Sequence, residues 1–186
     1  LYQHAASLVG DGATEDSLAY FRDAQVFRNY TLLELPHHGA LVGYALDNRD
    51  YAVTIVRNFL YSSLMLLVWE RLQNSCDTQL AAIAAKSIKE VRYHVRHAGD
   101  WLVRLGDGTS ESHDKAQAAL NHLLPYTQEF WTGSDFESIV ATSGVGVDVS
   151  GLREAWENQL QQTLSEATLQ LPTAGGFITT GKQQVH

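Results

Sequence analysis

The stretch from Ala82 to Leu105, AIAAKSIKEVRYHVRHAGDWLVRL, repeats its apolar and small residues at the period of an α-helix. Residues that recur every three or four positions share one face of a helix, and such a face must be buried against other elements. The stripe consists of Ile83, Ser87, Val91, His94, Ala98, Trp101 and Leu105, with Ile88, Val95 and Leu102 flanking it. We therefore expect His94 to be buried in a helical core, where Glu90, one turn away, can satisfy it.

The same helix comes close to a metal-binding motif. Helical bundles that bind two irons use a Glu and a His three residues apart, so that both point into the core. Val91 stands three residues before His94, and the neighbouring carboxylate of Glu90 lies about 100° around the helix from Val91. The preceding helix, which should supply another ligand, has neither carboxylate nor His over residues 59–67. Because hydroxyls are poor iron ligands beside carboxylates and imidazoles, these residues predict a core without metal.

Turn and capping residues divide the chain into helical segments. Predicted helix starts are Thr14, one of Asp47, Asn48 and Asp50, one of Asp77 and Thr78, and Ser112. The predicted helices cover residues 1–9, 15–27, about 50–74, 78–105, 113–131 with a bend at Pro125, 135–142 and 152–171. Residues 31–46 form a connector, residues 172–186 show no clear period, and the alternation in 145–149 is too short to carry a sheet. The sequence therefore predicts an all-α antiparallel helical bundle, with one domain over residues 1–186.

Charge and cysteine content exclude several classes of protein. The net charge of −8, with no run of Lys and Arg to offset it, argues against a protein that binds nucleic acid. Cys76 is the only cysteine, so the chain has no internal disulfide and no thiolate metal cluster, which fits a reducing cytoplasm. The apolar run from Tyr51 to Trp69 contains Arg57, Asn58 and two serines, which favours a buried core helix over a membrane span.

Four basic residues lie close together on the long helix. They are Lys86, Lys89, Arg92 and Arg96. Their simplest interpretation is a solvated helix face, and the alternative is a surface that contacts a partner.

Two other groups of residues resemble metal sites only superficially. The run from Glu34 to His37 matches Glu-x-x-His, but Pro36 and the following His-Gly predict a turn, in which this spacing no longer aligns two ligands. Glu111, His113 and Asp114 crowd a helix start, where acidic side chains favour the helix dipole, so capping is the preferred interpretation.

Several motifs, in the same order along the chain, resemble one known family. The segment from Asp77 to Thr109 is similar to the non-catalytic C subunits of bacterial ring-1,2-phenylacetyl-CoA epoxidases, which are multicomponent monooxygenases. Shorter matches are Leu18-Ala19-Tyr20, Arg22-Asp23, Glu34, Pro36, Leu152-Arg153, Ala155-Trp156-Glu157 and Glu166-Ala167-Thr168-Leu169. The resemblance covers nearly the whole chain.

The resemblance implies a ferritin-like helical subunit that pairs with an iron-bearing A subunit of similar fold. In that A subunit the motif is Lys-Glu-Glu-x-x-His, whereas here it reads Lys89-Glu90-Val91-Arg92-Tyr93-His94. Val91 thus replaces a ligand Glu, His94 is retained, and the aspartate expected on the preceding helix falls at Ser62. The resemblance implies that these three positions are the remains of a metal site and that this subunit holds no cofactor.

The function that the resemblance implies is structural. The chain would bind and support the di-iron A subunit in aerobic phenylacetate breakdown, without being catalytic itself, as part of a cytoplasmic oligomer. The A subunit would use O2 and electrons from a reductase component, and phenylacetyl-CoA would reach the subunit interface, with Lys86, Lys89, Arg92 and Arg96 as candidate contacts. Two alternatives stay open: a di-iron oxygenase in its own right that uses Glu90 and His94, or a ferritin-like interaction protein unrelated to phenylacetate.

The resemblance also concerns the two ends of the sequence. The sequence starts at Leu1 without Met, and we expect it to begin part-way through a helix. The stretch from Gly181 to His186 resembles one that precedes a further helix in the family. We therefore expect the sequence to be truncated at both ends of the bundle, with apolar faces that other elements cover.

Overall fold

The computed structural model of the chain describes residues 1–21, 23, 28–35 and 50–172, and this part is helical. Its α-helices are α1 (Tyr2–Val9), α2 (Glu15–Ala19), α3 (Thr31–Glu34), α4 (Tyr51–Leu72), α5 (Thr78–Gly106), α6 (Ser110–Leu123), α7 (Asp135–Thr142) and α8 (Arg153–Glu166). Two 3₁₀ segments, Leu124–Trp131 and Ser150–Leu152, precede α7 and α8. No strand occurs among the described residues, including 145–149. The predicted all-α class is confirmed.

The two longest helices, α4 and α5, form an antiparallel pair because only residues 73–77 connect them. Asp50 caps α4 by accepting a hydrogen bond from the Ala52 amide at 2.9 Å, and Asp77 caps α5 by accepting one from the Leu80 amide at 3.0 Å. These caps agree with the predicted helix starts. The pair makes the largest helix–helix contact of the described fold, and α6 and α8 pack against it.

Asp77 also ties the start of the chain to α5. Its Oδ2 lies 2.6 Å from His4 Nε2, and both side chains are largely buried. Hydrogen bonds from the Leu80 amide and then from His4 hold the pKa of Asp77 below its ordinary value. One carboxylate thus caps α5 and anchors α1.

Aromatic side chains join α8 to the middle of α4. The indole Nε1 of the buried Trp156 donates a hydrogen bond to the Leu60 carbonyl at 3.1 Å. Around it, the ring centroid of Trp131 lies 5.4 Å away and that of Phe130 lies 5.9 Å away, both in edge-on geometry. Edge-on aromatic pairs stabilise a core beyond the area that they bury, so this cluster fixes α8 against α4.

Gly106 ends α5 at a close contact with the end of α8. A Cβ at this position would lie 2.1 Å from the Ala167 carbonyl oxygen, a distance that packing cannot accommodate without moving backbone. The Gly106 carbonyl lies 3.1 Å from Thr168 Oγ1, which donates to it, and 2.7 Å from His113 Nδ1. Only glycine lets α5, α6 and α8 meet so closely here.

Several predicted helix boundaries are wrong. The predicted cap Ser112 lies inside α6, and Thr109 is the cap, because its hydroxyl accepts from the Ser112 amide at 3.2 Å. The predicted helix over residues 113–131 is α6 followed by a 3₁₀ segment, since Pro125 lacks an amide hydrogen and breaks the α-helical ladder. The helix predicted over 15–27 is described as Glu15–Ala19, and residues 22 and 24–27 lie outside the described part. The helix predicted over 152–171 spans 153–166.

Two further expectations concern the first half of the chain. The connector predicted over residues 31–46 includes the short helix α3, and its residues 36–46 lie outside the described part. Among the described residues, α4 is the one helix long and apolar enough to cross a membrane, and half of its most apolar window is buried inside the fold. That burial fits the predicted core helix.

Candidate functional site

A groove of about 420 Å³ runs between α4 and α5. Its lining residues are Asn58, Tyr61, Ser62, Met65 and Trp69 of α4 and Val91, His94 and His97 of α5. All three positions that the family resemblance assigns to a former metal site, namely Ser62, Val91 and His94, line this one groove. Ser62 and Val91, which are 29 positions apart in the chain, therefore line the same groove because the two helices run antiparallel.

The groove has an inner and an outer side. Ser62 is buried, and its hydroxyl donates to the Asn58 carbonyl at 2.5 Å within the same helix. Val91 is half-buried, whereas His94 and His97 are exposed. The position at which the family resemblance implies an aspartate thus carries a hydroxyl that already has a backbone partner.

The prediction that His94 is buried is wrong. Its side chain is 56% exposed, and Nε2 lies 3.7 Å from Glu90 Oε1 at the helix surface. The buried residues of α5 are Ala84, Ile88, Val95, Ala98, Leu102 and Gly106. Ile88, Val95 and Leu102, which were expected only to flank the buried face, lie at its centre. The reason is that Val95 points towards the other helices and His94 does not. One residue corresponds to about 100° around a helix, so adjacent positions differ completely in burial.

The side chains that line the groove do not fit a two-iron site. Such a site takes carboxylates from several helices together with histidines. Here the lining offers two imidazoles and otherwise an amide, a phenol, a hydroxyl, a thioether and apolar groups, with no carboxylate. In the described parts of the chain, no group of three or more His, Cys, Asp or Glu side chains is arranged to hold a metal. The absence of a cofactor from this subunit stays a prediction.

Tyr61 adds a neutral hydrogen-bonding group to the wall of the groove. Burial raises the pKa of its phenol, so the hydroxyl stays protonated at neutral pH. Its ring meets Tyr30 edge-on, with the ring centroids 6.1 Å apart. Tyr61 therefore adds a neutral hydrogen-bonding group to the groove wall and no buried charge.

The four basic residues of α5 lie outside this groove. Lys86, Lys89, Arg92 and Arg96 are all exposed. The Arg92 guanidinium donates to Glu70 Oε1 at 3.2 Å across the helix pair. None of the four belongs to the lining, so a ligand held by these cations would lie on the outer surface of α5.

Of the two other candidate groups, the one that begins at Glu34 lies partly outside the described residues, and the one around Glu111 has structural contacts. Glu34 is the last residue of α3, while Pro36 and His37 lie outside the described residues. The carboxylate of Glu111 accepts a hydrogen bond from Lys115 at 2.5 Å, and this contact lowers the pKa of Glu111. His113 points to the end of α5.

Sequence reasoning missed several residues of the groove, although a signal for them exists. The missed residues Asn58, Met65 and Trp69 recur with the predicted Ser62 at intervals of four, three and four, which is the spacing of one helix face. A second hollow, of about 340 Å³, was not predicted either. Its lining includes Trp131, Glu137 and Asp148, and it lies beside α7. Glu137 is already engaged there, because it accepts a hydrogen bond from the Ser134 amide at 2.8 Å.

Comparison with known proteins adds two findings. The model of the family described as phenylacetic acid catabolic protein matches residues 1–186. The chain is 39% identical over 183 residues to the C subunit of the 1,2-phenylacetyl-CoA epoxidase of Escherichia coli (strain K12). That alignment covers 98% of this chain and 69% of the Escherichia coli protein.

Proposed function

Since the chain belongs to the phenylacetic acid catabolic protein family, we propose that it is the structural, C-type component of a phenylacetyl-CoA epoxidase. In this role it adopts a ferritin-like bundle, holds no metal and supports a di-iron catalytic A subunit. It works in the cytoplasm with the other epoxidase components, including a reductase, during aerobic phenylacetate catabolism.

The observation that carries this proposal is the chemistry of the α4–α5 groove. Its lining includes Ser62, Val91 and His94. The family resemblance matches these three positions to metal-ligand positions of the catalytic subunit, and it implies that Ser62 and Val91 stand where ligands would be. Iron pairs require negatively charged oxygen ligands to balance their charge, and this lining supplies none. The α4–α5 groove therefore has, in its described lining, none of the carboxylates that would bind iron.

The main alternative, a di-iron oxygenase that uses Glu90 and His94, has weaker support. Both side chains are largely exposed, 78% for Glu90 and 56% for His94, and they contact each other at the helix surface. A catalytic metal site needs a shaped cavity that excludes bulk water, which this pair does not provide. The third interpretation, an interaction protein unrelated to phenylacetate, is disfavoured by family membership.

Two measurements test the proposal. Elemental analysis of the full-length protein expressed alone should find no stoichiometric iron, and iron bound at two atoms per chain would sink the structural role. Co-purification with the catalytic A subunit should succeed, and failure would leave only the fold. Both measurements use the same preparation, with the A subunit alone as the positive control for iron.

Binding of the acyl-CoA substrate at the subunit interface belongs to the same proposal. The candidates are the four basic residues of α5, because phosphates favour Lys and Arg clusters. These side chains lie on the outside of α5, so they would contact acyl-CoA phosphates at the surface that faces the partner and not within the groove.

A further inference from the structure

The exposed side of α5 carries a continuous line of side chains. Lys86, Lys89, Tyr93, Arg96 and Asp100 follow one another at intervals of three and four residues, and all five are exposed. This spacing puts them on one face of the helix, opposite its buried side. We call the first four residues of this line the outer ridge, and Asp100 marks its end.

The outer ridge has positive charge that no acidic side chain of the described residues neutralises. Within the described residues, Lys86, Lys89 and Arg96 form no ion pair. Elsewhere, cations do have partners: Lys115 pairs with Glu111 and Arg153 pairs with Glu157. Because the chain carries 21 acidic and 13 basic residues, a concentration of unpaired cations on one helix face is contrary to its overall charge.

Tyr93 supplies a large, ordered side chain in the middle of the ridge. Its ring is 53% exposed, lies nearly parallel to the His97 ring at a centroid distance of 5.8 Å, and has the Arg96 guanidinium 6.0 Å from its centre. Contacts of this kind restrict the side chain before any partner binds. Tyr and Arg in such a setting are the residue types that dominate the energetics of protein interfaces.

We propose that the outer ridge is the surface on which this protein docks its partner subunit, and that the docked face is acidic with an apolar centre that receives Tyr93. This inference rests on the proposed function, because it names the surface that a supporting subunit would use. From Lys86 to Arg96 the ridge spans about 15 Å, which matches a helix face and exceeds the size of a single phosphate group. The cations are spread along this line and do not converge on one point, which favours a protein surface as their main contact over the coenzyme A contact considered above.

Charge reversal on the ridge tests the proposal. The full-length wild type and the double variant Lys89→Glu/Arg96→Glu are titrated with the purified catalytic subunit by calorimetry or interferometry, at low and at high salt. The matched control is Lys115→Glu/Arg153→Glu, which changes the net charge equally on α6 and α8. We expect the ridge variant to bind about tenfold or more weakly with a flatter salt dependence, and the control to stay within about twofold of the wild type. Tyr93→Ala should weaken binding about tenfold while leaving the salt dependence unchanged.

The possible results distinguish an error in the docking surface from an error in the proposed function. If the wild type itself fails to bind the catalytic subunit, the proposed function is wrong and the ridge has no partner to dock. If the wild type binds and the ridge variants bind as tightly as the control, the docking surface lies elsewhere while the function stands. If the ridge variants bind the subunit normally but the assembled complex loses affinity for coenzyme A, these cations make only the acyl-CoA contact considered above, and the ridge as a docking surface is overturned. Circular dichroism of each variant confirms that the helices are intact.

Discussion

Replacing Gly106 with alanine perturbs the point where the end of α5 packs against the end of α8. The added Cβ would lie 2.1 Å from the Ala167 carbonyl oxygen and 3.0 Å from the Ala167 Cβ. The first contact is with backbone, so rotating a side chain cannot relieve it. The end of α8 must therefore move away by more than about 1 Å to restore ordinary van der Waals separation.

The size of the effect follows from three contributions. Overpacking of a close-packed contact costs about 1–3 kcal/mol. The movement also stretches the hydrogen bond from Thr168 Oγ1 to the Gly106 carbonyl, now 3.1 Å long, which is worth about 1 kcal/mol. Alanine recovers about 0.5–1 kcal/mol of helix propensity. We expect a net loss of about 1–3.5 kcal/mol in the free energy of unfolding, which corresponds to roughly 2–14 °C in Tm for a chain of this size.

Gly99 provides the matched control within the same helix. A Cβ there would lie 3.6 Å from the Phe59 ring, an ordinary contact, so Gly99→Ala should stabilise the protein by about 0.5–1 kcal/mol. Urea denaturation of both full-length variants, followed by circular dichroism, gives the two free energies. If Gly106→Ala is neutral or stabilising like Gly99→Ala, the close approach of α5 and α8 is refuted.

Three further predictions concern the core, the capping carboxylate and the groove. Trp156→Phe removes a buried indole hydrogen bond and should lower the free energy of unfolding by about 2 kcal/mol. Trp131→Phe, at a partly exposed position, should lower it by about 1 kcal/mol or less. Equal losses for the two variants in urea denaturation would contradict this prediction. The hydrogen bonds that lower the pKa of Asp77 contribute stability that is present above its unfolded pKa and lost as pH falls through the lower folded pKa. Asp77→Asn should therefore lower the free energy of unfolding near neutral pH and make its decline in acid less steep. The measurement is the free energy of unfolding between about pH 7 and pH 2, and a pH profile equal to that of the wild type would show that the Asp77 carboxylate does not make these hydrogen bonds. Ser62→Asp with Val91→Glu should produce neither epoxidation nor stoichiometric iron in the full-length protein, and activity from these two changes alone would show that the metal site was nearly intact.

The boundaries of the helices show which features could be predicted locally. Asp50 and Asp77 stand as N-caps and α7 covers residues 135–142, as expected, because a cap depends on residues only two or three positions away. The break at Pro125 is equally local, since it follows from a missing amide hydrogen. The prediction of Ser112 as a cap is wrong because Thr109, three residues earlier, competes for the same role and its hydroxyl receives the Ser112 amide.

The candidate groove depended on a different kind of information. Spacing alone pointed to His94 as a buried residue, and the structure places it on the exposed side of the groove. That Ser62 lies beside Val91 and His94 was implied by the family resemblance and not by any local pattern, because the residues belong to two helices. The exposed ridge around Tyr93 was visible as a basic stretch, but its unpaired charge became evident only from the contacts of the folded chain.

By itself, the sequence determined that this chain is helical, where most of its helices begin, and which family it belongs to, because propensity, capping and motif order reside in neighbouring residues. The tertiary structure decided which face of α5 is buried and why Gly106 must be glycine. The requirement for glycine depends on an atom far away in the chain, the Ala167 carbonyl oxygen. The buried face of α5 depends on the neighbouring helices, because the broad apolar face allows either of the adjacent residues His94 and Val95 to point inward until those helices pack against it.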